Sequence, residues 1–156
     1  MCKRPGVKRD RFIQQVARYD FKFATVIHPL AKVSSTSSLG IGSIVDMGVM
    51  IGARAQMGYH VIICRGGLIG HHTVIGDYST VALGANIAGN CLIGESAFIG
   101  MSAVVLDHIK IGAHSIVGAG SVVTKDVPDH VQVVGVPAKI VKENMPEIKP
   151  KSLFPR

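Results

Sequence analysis

Two adjacent histidines, His71 and His72, interrupt a stretch of aliphatic and small residues that reads LIGHHTVIGDYST over residues 68–80. A neutral imidazole accepts protons near neutral pH, so it can act as a general base towards an attacking amine or hydroxyl. Such a base needs a partner that accepts a hydrogen bond from its other ring nitrogen and thereby fixes its tautomer. A second neutral imidazole or a backbone carbonyl could be that partner. The pair is therefore a candidate for proton-transfer chemistry.

A strict six-residue repeat surrounds this pair. Every sixth residue from Ile27 to Val123 is aliphatic if Met is included, and the next residue is Gly in nine of these seventeen hexads. Residues that are six apart do not lie on one face of an α-helix, whereas a short strand followed by a turn brings every sixth residue to an equivalent position. Hexapeptide periodicity of this kind predicts a parallel β-helix, in which each coil buries its aliphatic side chains against the coils above and below. The phase turns Ile69 and Thr73 inward and leaves both histidines on the turn between them.

The repeat divides the chain into three parts. Residues 1–26 contain VKRDRFIQQVARYD, which predicts a short amphipathic helix over Val7–Asp20, followed by a lead-in strand. Residues 27–128 form the repeat itself. The phase breaks at Asp129, and residues 129–156 predict a short strand at Val131–Val134 and an irregular, proline-rich tail. The apolar face of the predicted helix consists of Phe12, Ile13, Val16 and Tyr19.

Charge and composition narrow the function classes. The chain of 156 residues has a formal net charge of +7, and residues 27–128 hold five basic and five acidic residues, so the excess lies in the two ends. Such ends are either solvated tails or basic segments that attract a phosphate-bearing small molecule. No aromatic and basic pattern typical of nucleic-acid binding accompanies the charge. No apolar run is long enough to cross a bilayer, and the basic segment MCKRPGVKRDRF is followed by no apolar stretch, so we do not expect it to be a secretory signal. Cys2, Cys64 and Cys91 have no zinc-type spacing and predict free thiols in a reducing cytoplasm.

Three segments resemble one family of hexapeptide-repeat transferases. They read FATVIHPLAKVS, IGHHTVIGDYSTVALGANIAGN and IGAHSIVGAGSVVTKDVPDHVQVVGVPAK, and the similarity runs from about Lys22 to Lys139. They are similar to the sugar O-acyltransferase family, which includes sialic acid O-acetyltransferases and nucleotide-amino-sugar N-acetyltransferases. The resemblance implies a left-handed parallel β-helix with three hexads per coil, and therefore five to six coils. It also implies acetyl-CoA as co-substrate and a homotrimer with the coenzyme between neighbouring prisms.

The resemblance also assigns roles to individual residues. It places His71 at the position of the general base, and His72 at the position where the family carries an acidic residue that supports the base. The positions that contact the coenzyme fall on Thr80, where the family often has a second histidine, and on Met101 and Ala119. Gly89 falls where a backbone amide approaches the thioester, and a main-chain N–H there could stabilise the developing oxyanion.

Three further residues occupy positions of the repeat that bear on the candidate site, where residues eighteen apart form one row along the prism. Asp107 lies two eighteen-residue coils from His71, which corresponds to roughly 10 Å. It is therefore too far for a direct hydrogen bond within one subunit, and it could act across a subunit boundary or bind the acceptor. His108 shares a row with His72 and is a candidate acceptor contact, weighed against plain surface. Cys91 occupies an inward slot for small residues and predicts a core thiol rather than a nucleophile.

The resulting prediction is an acetyl-CoA-dependent acetyltransferase that acts on an amino or hydroxyl group of a sugar or nucleotide-linked sugar, without a metal. Characterised relatives often begin with a Rossmann-like domain that holds the sugar nucleotide, and this chain has only about 26 residues before the repeat and no GxGxxG. An inactive assembly subunit is therefore one alternative. A gamma-type carbonic anhydrase is another, but its close pair of zinc histidines is separated by four residues, whereas His108 and His114 are separated by five.

Overall fold

The structure is a computed structural model, and it describes residues 12–13, 15–16, 18–19 and 21–143. Each of the first seventeen strands is two residues long and ends on one of the hexad aliphatics. These strands are β1 (Val26–Ile27), β2 (Lys32–Val33), β3 (Ser38–Leu39), β4 (Ile44–Val45), β5 (Met50–Ile51), β6 (Gln56–Met57), β7 (Ile62–Ile63), β8 (Leu68–Ile69), β9 (Val74–Ile75), β10 (Thr80–Val81), β11 (Asn86–Ile87), β12 (Leu92–Ile93), β13 (Phe98–Ile99), β14 (Val104–Val105), β15 (Lys110–Ile111), β16 (Ile116–Val117) and β17 (Val122–Val123). Two longer strands follow, β18 (Gln132–Val134) and β19 (Lys139–Lys142).

The strands stack into a three-sided prism. Every third strand pairs in parallel with an offset of eighteen residues, as in Val26 with Ile44 (44 − 26 = 18). Face A has the order β1-β4-β7-β10-β13-β16-β18-β19, face B the order β2-β5-β8-β11-β14-β17, and face C the order β3-β6-β9-β12-β15. The chain turns from A to B, from B to C and from C to A, and we name these turns the AB, BC and CA corners. This arrangement confirms the predicted left-handed parallel β-helix of five to six coils.

The core is the interior of the prism. The second residue of each strand points inward, and Ile63, Ile75 and Ile99 are completely buried. The position four residues later also points inward and holds small or apolar residues such as Ala85 and Cys91, both fully buried. Each hexad therefore contributes one large and one small side chain to the interior. The predicted inward phase of the repeat is confirmed.

Some inward positions hold hydroxyl groups, and these groups connect consecutive coils. The Thr73 Oγ1 donates to the carbonyl oxygen of Ala88 at 2.8 Å and accepts from the N–H of Cys91 at 3.2 Å. Ser79 makes the same two bonds one hexad later, to Gly94 and from Ala97. Each hydroxyl thus satisfies backbone groups at a turn that the ladders of the three faces do not reach.

Replacing Thr73 with valine should destabilise the prism by about 1–3 kcal/mol, because the isosteric side chain leaves a buried carbonyl and a buried N–H unpaired. The free energy of unfolding in urea measures this effect. Thr73→Ser keeps the hydroxyl and is the matched control. An unchanged urea midpoint for Thr73→Val would contradict the role that we assign to the hydroxyl.

Both ends of the described chain depart from the regular repeat. The pairing of Ile116 with Gln132 has an offset of sixteen residues (132 − 116 = 16), which confirms the predicted break in phase. The strand predicted at Val131–Val134 is β18, Gln132–Val134, and it pairs antiparallel with β19, which the sequence did not predict.

Part of the predicted N-terminal helix is also visible. Phe12, Ile13, Gln15 and Val16 are helical, and the rest of Val7–Asp20 lies mostly outside the described residues. Of the residues on the predicted apolar face, Phe12 and Tyr19 are 66% and 65% exposed whereas Ile13 is 9% exposed. At about 100° per residue the four side chains cover a wide arc, and only the edge at Ile13 is buried. The described part of the chain contains no helix whose length and apolar character would let it span a bilayer.

Candidate active site

His71 and His72 lie on the BC corner, on the turn between β8 and β9, and both side chains are exposed. The turn exists because Ile69 and Thr73 point into the prism on either side of it, so the residues between them project outward. His72 has a φ of 58°, in the left-handed region, and the residues one coil before and after it, Arg54 and Asn90, have the same conformation. The corner therefore presents a row of outward side chains at coil spacing.

The ring of His71 lies against Gly89 of the next coil. A Cβ on Gly89 would lie 2.7 Å from Cε1 and 2.8 Å from Nε2 of His71, which is closer than side-chain carbons approach other atoms. The imidazole therefore occupies the space that any other residue at position 89 would fill. Glycine here determines where the candidate base can lie.

The turn that contains Gly89 is hydrogen-bonded to the coil before it and to the coil after it, and one of its backbone N–H groups has no acceptor. The N–H of Asn90 donates to the carbonyl oxygen of His71 at 2.9 Å, and the N–H of His108 donates to that of Gly89 at 3.1 Å. Within residues 21–143, the N–H of Gly89 itself has no hydrogen-bond acceptor. The backbone N–H of Gly89, which the sequence analysis names as a candidate oxyanion donor, is therefore available to a ligand.

The two imidazoles contact each other directly. Their Nδ1 atoms are 3.0 Å apart, and the ring planes are nearly perpendicular, at 86°. One Nδ1 must donate and the other must accept, so His72 can serve as the hydrogen-bond partner that a base at His71 requires.

Arg54 is a member of this cluster that is not among the residues predicted from the sequence. Its Nη1 lies 3.5 Å from Nε2 of His72, so both ring nitrogens of His72 have neighbours. The signal that identifies it is the repeat itself, because Arg54 lies eighteen residues before His72 and therefore on the same row.

Asp107 and His108 form a separate pair on the same corner, two coils beyond the histidines. The Asp107 Oδ2 and the His108 Nδ1 are 2.9 Å apart, and both side chains are about 70% exposed. The hydrogen bond from His108 lowers the pKa of the Asp107 carboxyl from its usual value. The register of β8, β11 and β14 places this pair two ladder spacings from His71, so the predicted absence of direct contact agrees with the strand pairing.

The other three predicted coenzyme positions are not near His71 within the chain. Thr80 is in β10 on face A and is only 7% exposed, whereas Met101 is on the AB corner and 53% exposed. Ala119 is one coil beyond Met101 and is exposed. One chain therefore presents the candidate base on one corner and these candidate contacts on face A and another corner.

Face B connects these two corners. It carries an open depression of about 640 Å³ whose lining includes the outward side chains of Lys32, Met50 and Leu68 and reaches Gly70 and Ala88 at the BC corner. The depression is mostly apolar and ends beside the histidine pair, so an elongated molecule on face B could extend towards His71.

Cys91 lies in the core of the prism, where it cannot act as a nucleophile. Cys91 is completely buried, its Sγ donates to the carbonyl oxygen of Leu106 at 3.1 Å, and burial raises the pKa of its thiol. It is the core thiol that the sequence predicted.

His108 and His114 lie on different corners, BC and CA, so they do not form a pair within this chain. Among the described residues no three His, Cys, Asp or Glu side chains come together as they would around a metal ion.

Comparison with known proteins places this geometry in a family. The profile named bacterial transferase hexapeptide (six repeats) matches residues 90–125. WeeI from Acinetobacter baumannii AYE is 32% identical, with a TM-score of 0.78, over 89% of this chain and 68% of WeeI. The chain belongs to the hexapeptide-repeat acetyltransferase family. No curated protein matches this chain.

Two other solved structures are similar to this family member and were obtained with ligands. PerB from Caulobacter crescentus, in complex with CoA and GDP-perosamine, is 37% identical with a TM-score of 0.86 over 88% of this chain. The acetyltransferase domain of PglB from Neisseria gonorrhoeae FA1090, in complex with acetyl coenzyme A, is 30% identical with a TM-score of 0.83 over 86% of this chain. The chain spans 66% of the PerB chain and 65% of the PglB chain.

Proposed function

We propose that this protein transfers an acetyl group from acetyl-CoA to an amino or hydroxyl group of a sugar or nucleotide-linked sugar. The observation behind the proposal is the contact between the His71 ring and Gly89, because the backbone N–H of Gly89 has no acceptor within residues 21–143. Acyl transfer needs these two groups around one reacting carbonyl. PerB and the PglB domain, which were solved with CoA or acetyl-CoA, support the choice of co-substrate.

In this proposal His71 is the general base. Its Nε2 takes the proton from the acceptor amine or hydroxyl as the new bond to the acetyl carbon forms. His72 is the positioning partner, because its Nδ1 lies within hydrogen-bond distance of the Nδ1 of His71. If His71 carries its hydrogen on Nδ1 and donates it to His72, then Nε2 is left with the lone pair that a base needs.

Gly89 supplies the second group. Acetyl-CoA, when bound, would supply a thioester whose carbonyl oxygen gains negative charge during attack. The N–H of Gly89 is free to donate to that oxygen, and the missing side chain lets the thioester approach the backbone closely. No charged side chain is needed for this step, because a preorganised backbone dipole at a fixed turn is sufficient.

The separation of the site residues on two corners supports a shared site between chains. We propose a homotrimer in which the BC corner of one prism faces the AB corner of its neighbour. His71 and Gly89 would then come from one chain, and Met101 and Ala119 from the next, with the coenzyme between them. Thr80 is mostly buried, so it would contribute only at its small exposed surface. Asp107 and His108, on the coils beyond, would contact the acceptor.

The Cys64 and Cys91 side chains form no disulfide among the described residues, which agrees with a reducing compartment, and we propose that the reaction takes place in the cytoplasm. Thiol release from acetyl-CoA in the presence of nucleotide amino sugars and simple amino sugars tests the proposed function. We expect release that depends on the acceptor and is accompanied by an acetylated sugar in the mass spectrum. If no acceptor in either class is acetylated and calorimetry detects no coenzyme A binding, the proposal is wrong.

A further inference from the structure

The hydrogen-bond chain from Arg54 to His71 conflicts with the tautomer that a base at His71 requires. A guanidinium only donates, so the Nη1 of Arg54 faces a lone pair on Nε2 of His72, 3.5 Å away. A neutral His72 then carries its hydrogen on Nδ1 and donates it to the Nδ1 of His71. His71 must in turn carry its hydrogen on Nε2, and that nitrogen has no lone pair for the acceptor.

For His71 to act as a base through Nε2, the ring hydrogens of both histidines must lie on the other nitrogens. The Nδ1 of His71 must donate to the Nδ1 of His72, so His72 must carry its hydrogen on Nε2. That N–H would point at the guanidinium of Arg54, which cannot accept it. The arrangement becomes favourable only if an acceptor atom comes between His72 and Arg54.

Arg54 is free to leave its place beside His72 and to bind something else. The contact is at the long limit of a hydrogen bond, and the side chain is exposed. Within residues 21–143 the ion pairs are Arg65 with Asp46 and His108 with Asp107, so no carboxylate of this part of the chain pairs with Arg54. An unpaired guanidinium next to an imidazole is a site for a carboxylate or a phosphate group.

Extending the proposed function, we infer that the acceptor carries an anionic group, a carboxylate or a phosphate, which binds between Arg54 and His72 and switches His71 into its basic tautomer. The anion accepts from the guanidinium and from Nε2–H of His72. The hydrogen between the rings moves from the Nδ1 of His72 to the Nδ1 of His71. His72 gains a proton on Nε2 and His71 releases one from Nε2, so the total number of protons does not change.

The tautomers can be read directly without acetyl transfer. Long-range ¹H–¹⁵N NMR of the full chain at about pH 8.5, where an ordinary imidazole is neutral, reports which ring nitrogen carries the hydrogen. Inorganic phosphate is the probe. We expect His71 to carry its hydrogen on Nε2 without phosphate and on Nδ1 at saturating phosphate. A hydrogen on Nδ1 without phosphate, or no change at saturation, would overturn the inference.

Two substitutions separate the contribution of Arg54 from a general charge effect. Arg54→Met should raise the phosphate concentration at the midpoint by about tenfold or more, since it removes a charge-assisted hydrogen bond. Lys142→Met removes an equal charge from the exposed side chain at the end of β19, away from both corners of the proposed site, and should leave the midpoint unchanged. Equal midpoints for Arg54→Met and the wild type would overturn the assignment of the anion to Arg54.

An activity measurement identifies the source of the anion. Amino sugars with a carboxylate, with a phosphate and with neither are compared as acceptors, and we expect one charged class to exceed the neutral sugar by about tenfold or more in kcat/KM. His72→Glu supplies a carboxylate that accepts from His71 permanently, so it should remove this preference. A protein that shows the tautomer change but acetylates nothing contradicts the proposed function alone. An active protein whose tautomers ignore phosphate contradicts this inference alone.

Discussion

Replacing His71 with asparagine should lower kcat for acetyl transfer by about 10²- to 10⁴-fold, which is the usual contribution of a positioned general base. Asparagine is close in size and can still accept a hydrogen bond, but it cannot take the proton from the acceptor. The N–H of Gly89 and the binding surfaces remain, so residual activity above the uncatalysed rate is expected. Initial rates of coenzyme A release over a range of acceptor concentrations measure the effect.

The matched control for this substitution is His114→Asn. His114 is a turn residue on the CA corner with a φ of 56°, a conformation that asparagine tolerates. We expect wild-type kcat for this variant. If His71→Asn retained the wild-type rate as well, another residue would have to be the base.

Replacing Gly89 with alanine should reduce kcat by about tenfold or more and change stability little. The added methyl group would meet the ring of His71 at 2.7 Å, and a side chain yields to such a contact more easily than a backbone does. The ring must therefore rotate away from the turn, and a displacement of about 1 Å costs up to 10²-fold in rate. Steady-state kinetics and the urea midpoint, measured on the same preparation, separate the two effects.

Glu95→Ala serves as the control for the alanine substitution at Gly89. Glu95 has the same place in its hexad but lies on the CA corner, away from the histidines. It should retain full activity. A Gly89→Ala variant that lost stability and activity in proportion would show that the glycine serves the fold rather than the position of His71.

Most of the fold could be predicted from the sequence because a period of six leaves few alternatives. The repeat from Ile27 to Val123 specifies which residue of each hexad points inward, and the seventeen two-residue strands follow it without exception. The phase also predicts that His71 and His72 project from a turn. Strand β19 could not be predicted in the same way, because its pairing with β18 lies beyond the repeat.

The geometry of the candidate site depends on side-chain contacts that the six-residue repeat does not determine. The phase puts Arg54 on the row of His72, but only the structure shows that its guanidinium reaches the ring of His72. In the same way, glycine at position 89 predicts a close approach of some group, and in the structure this group is the ring of His71. Side-chain torsions, which no repeat encodes, decide both contacts.

The most direct measurement is a crystal structure of the protein with coenzyme A. We expect the coenzyme to lie between two copies of the chain, with its thiol sulfur beside the BC corner and within about 3–4 Å of the N–H of Gly89 or the Nε2 of His71. Met101 of the second copy should contact the pantetheine arm. A thiol placed at the CA corner, or on a face of the prism remote from His71, would contradict the assignment of His71 and Gly89 to the active site.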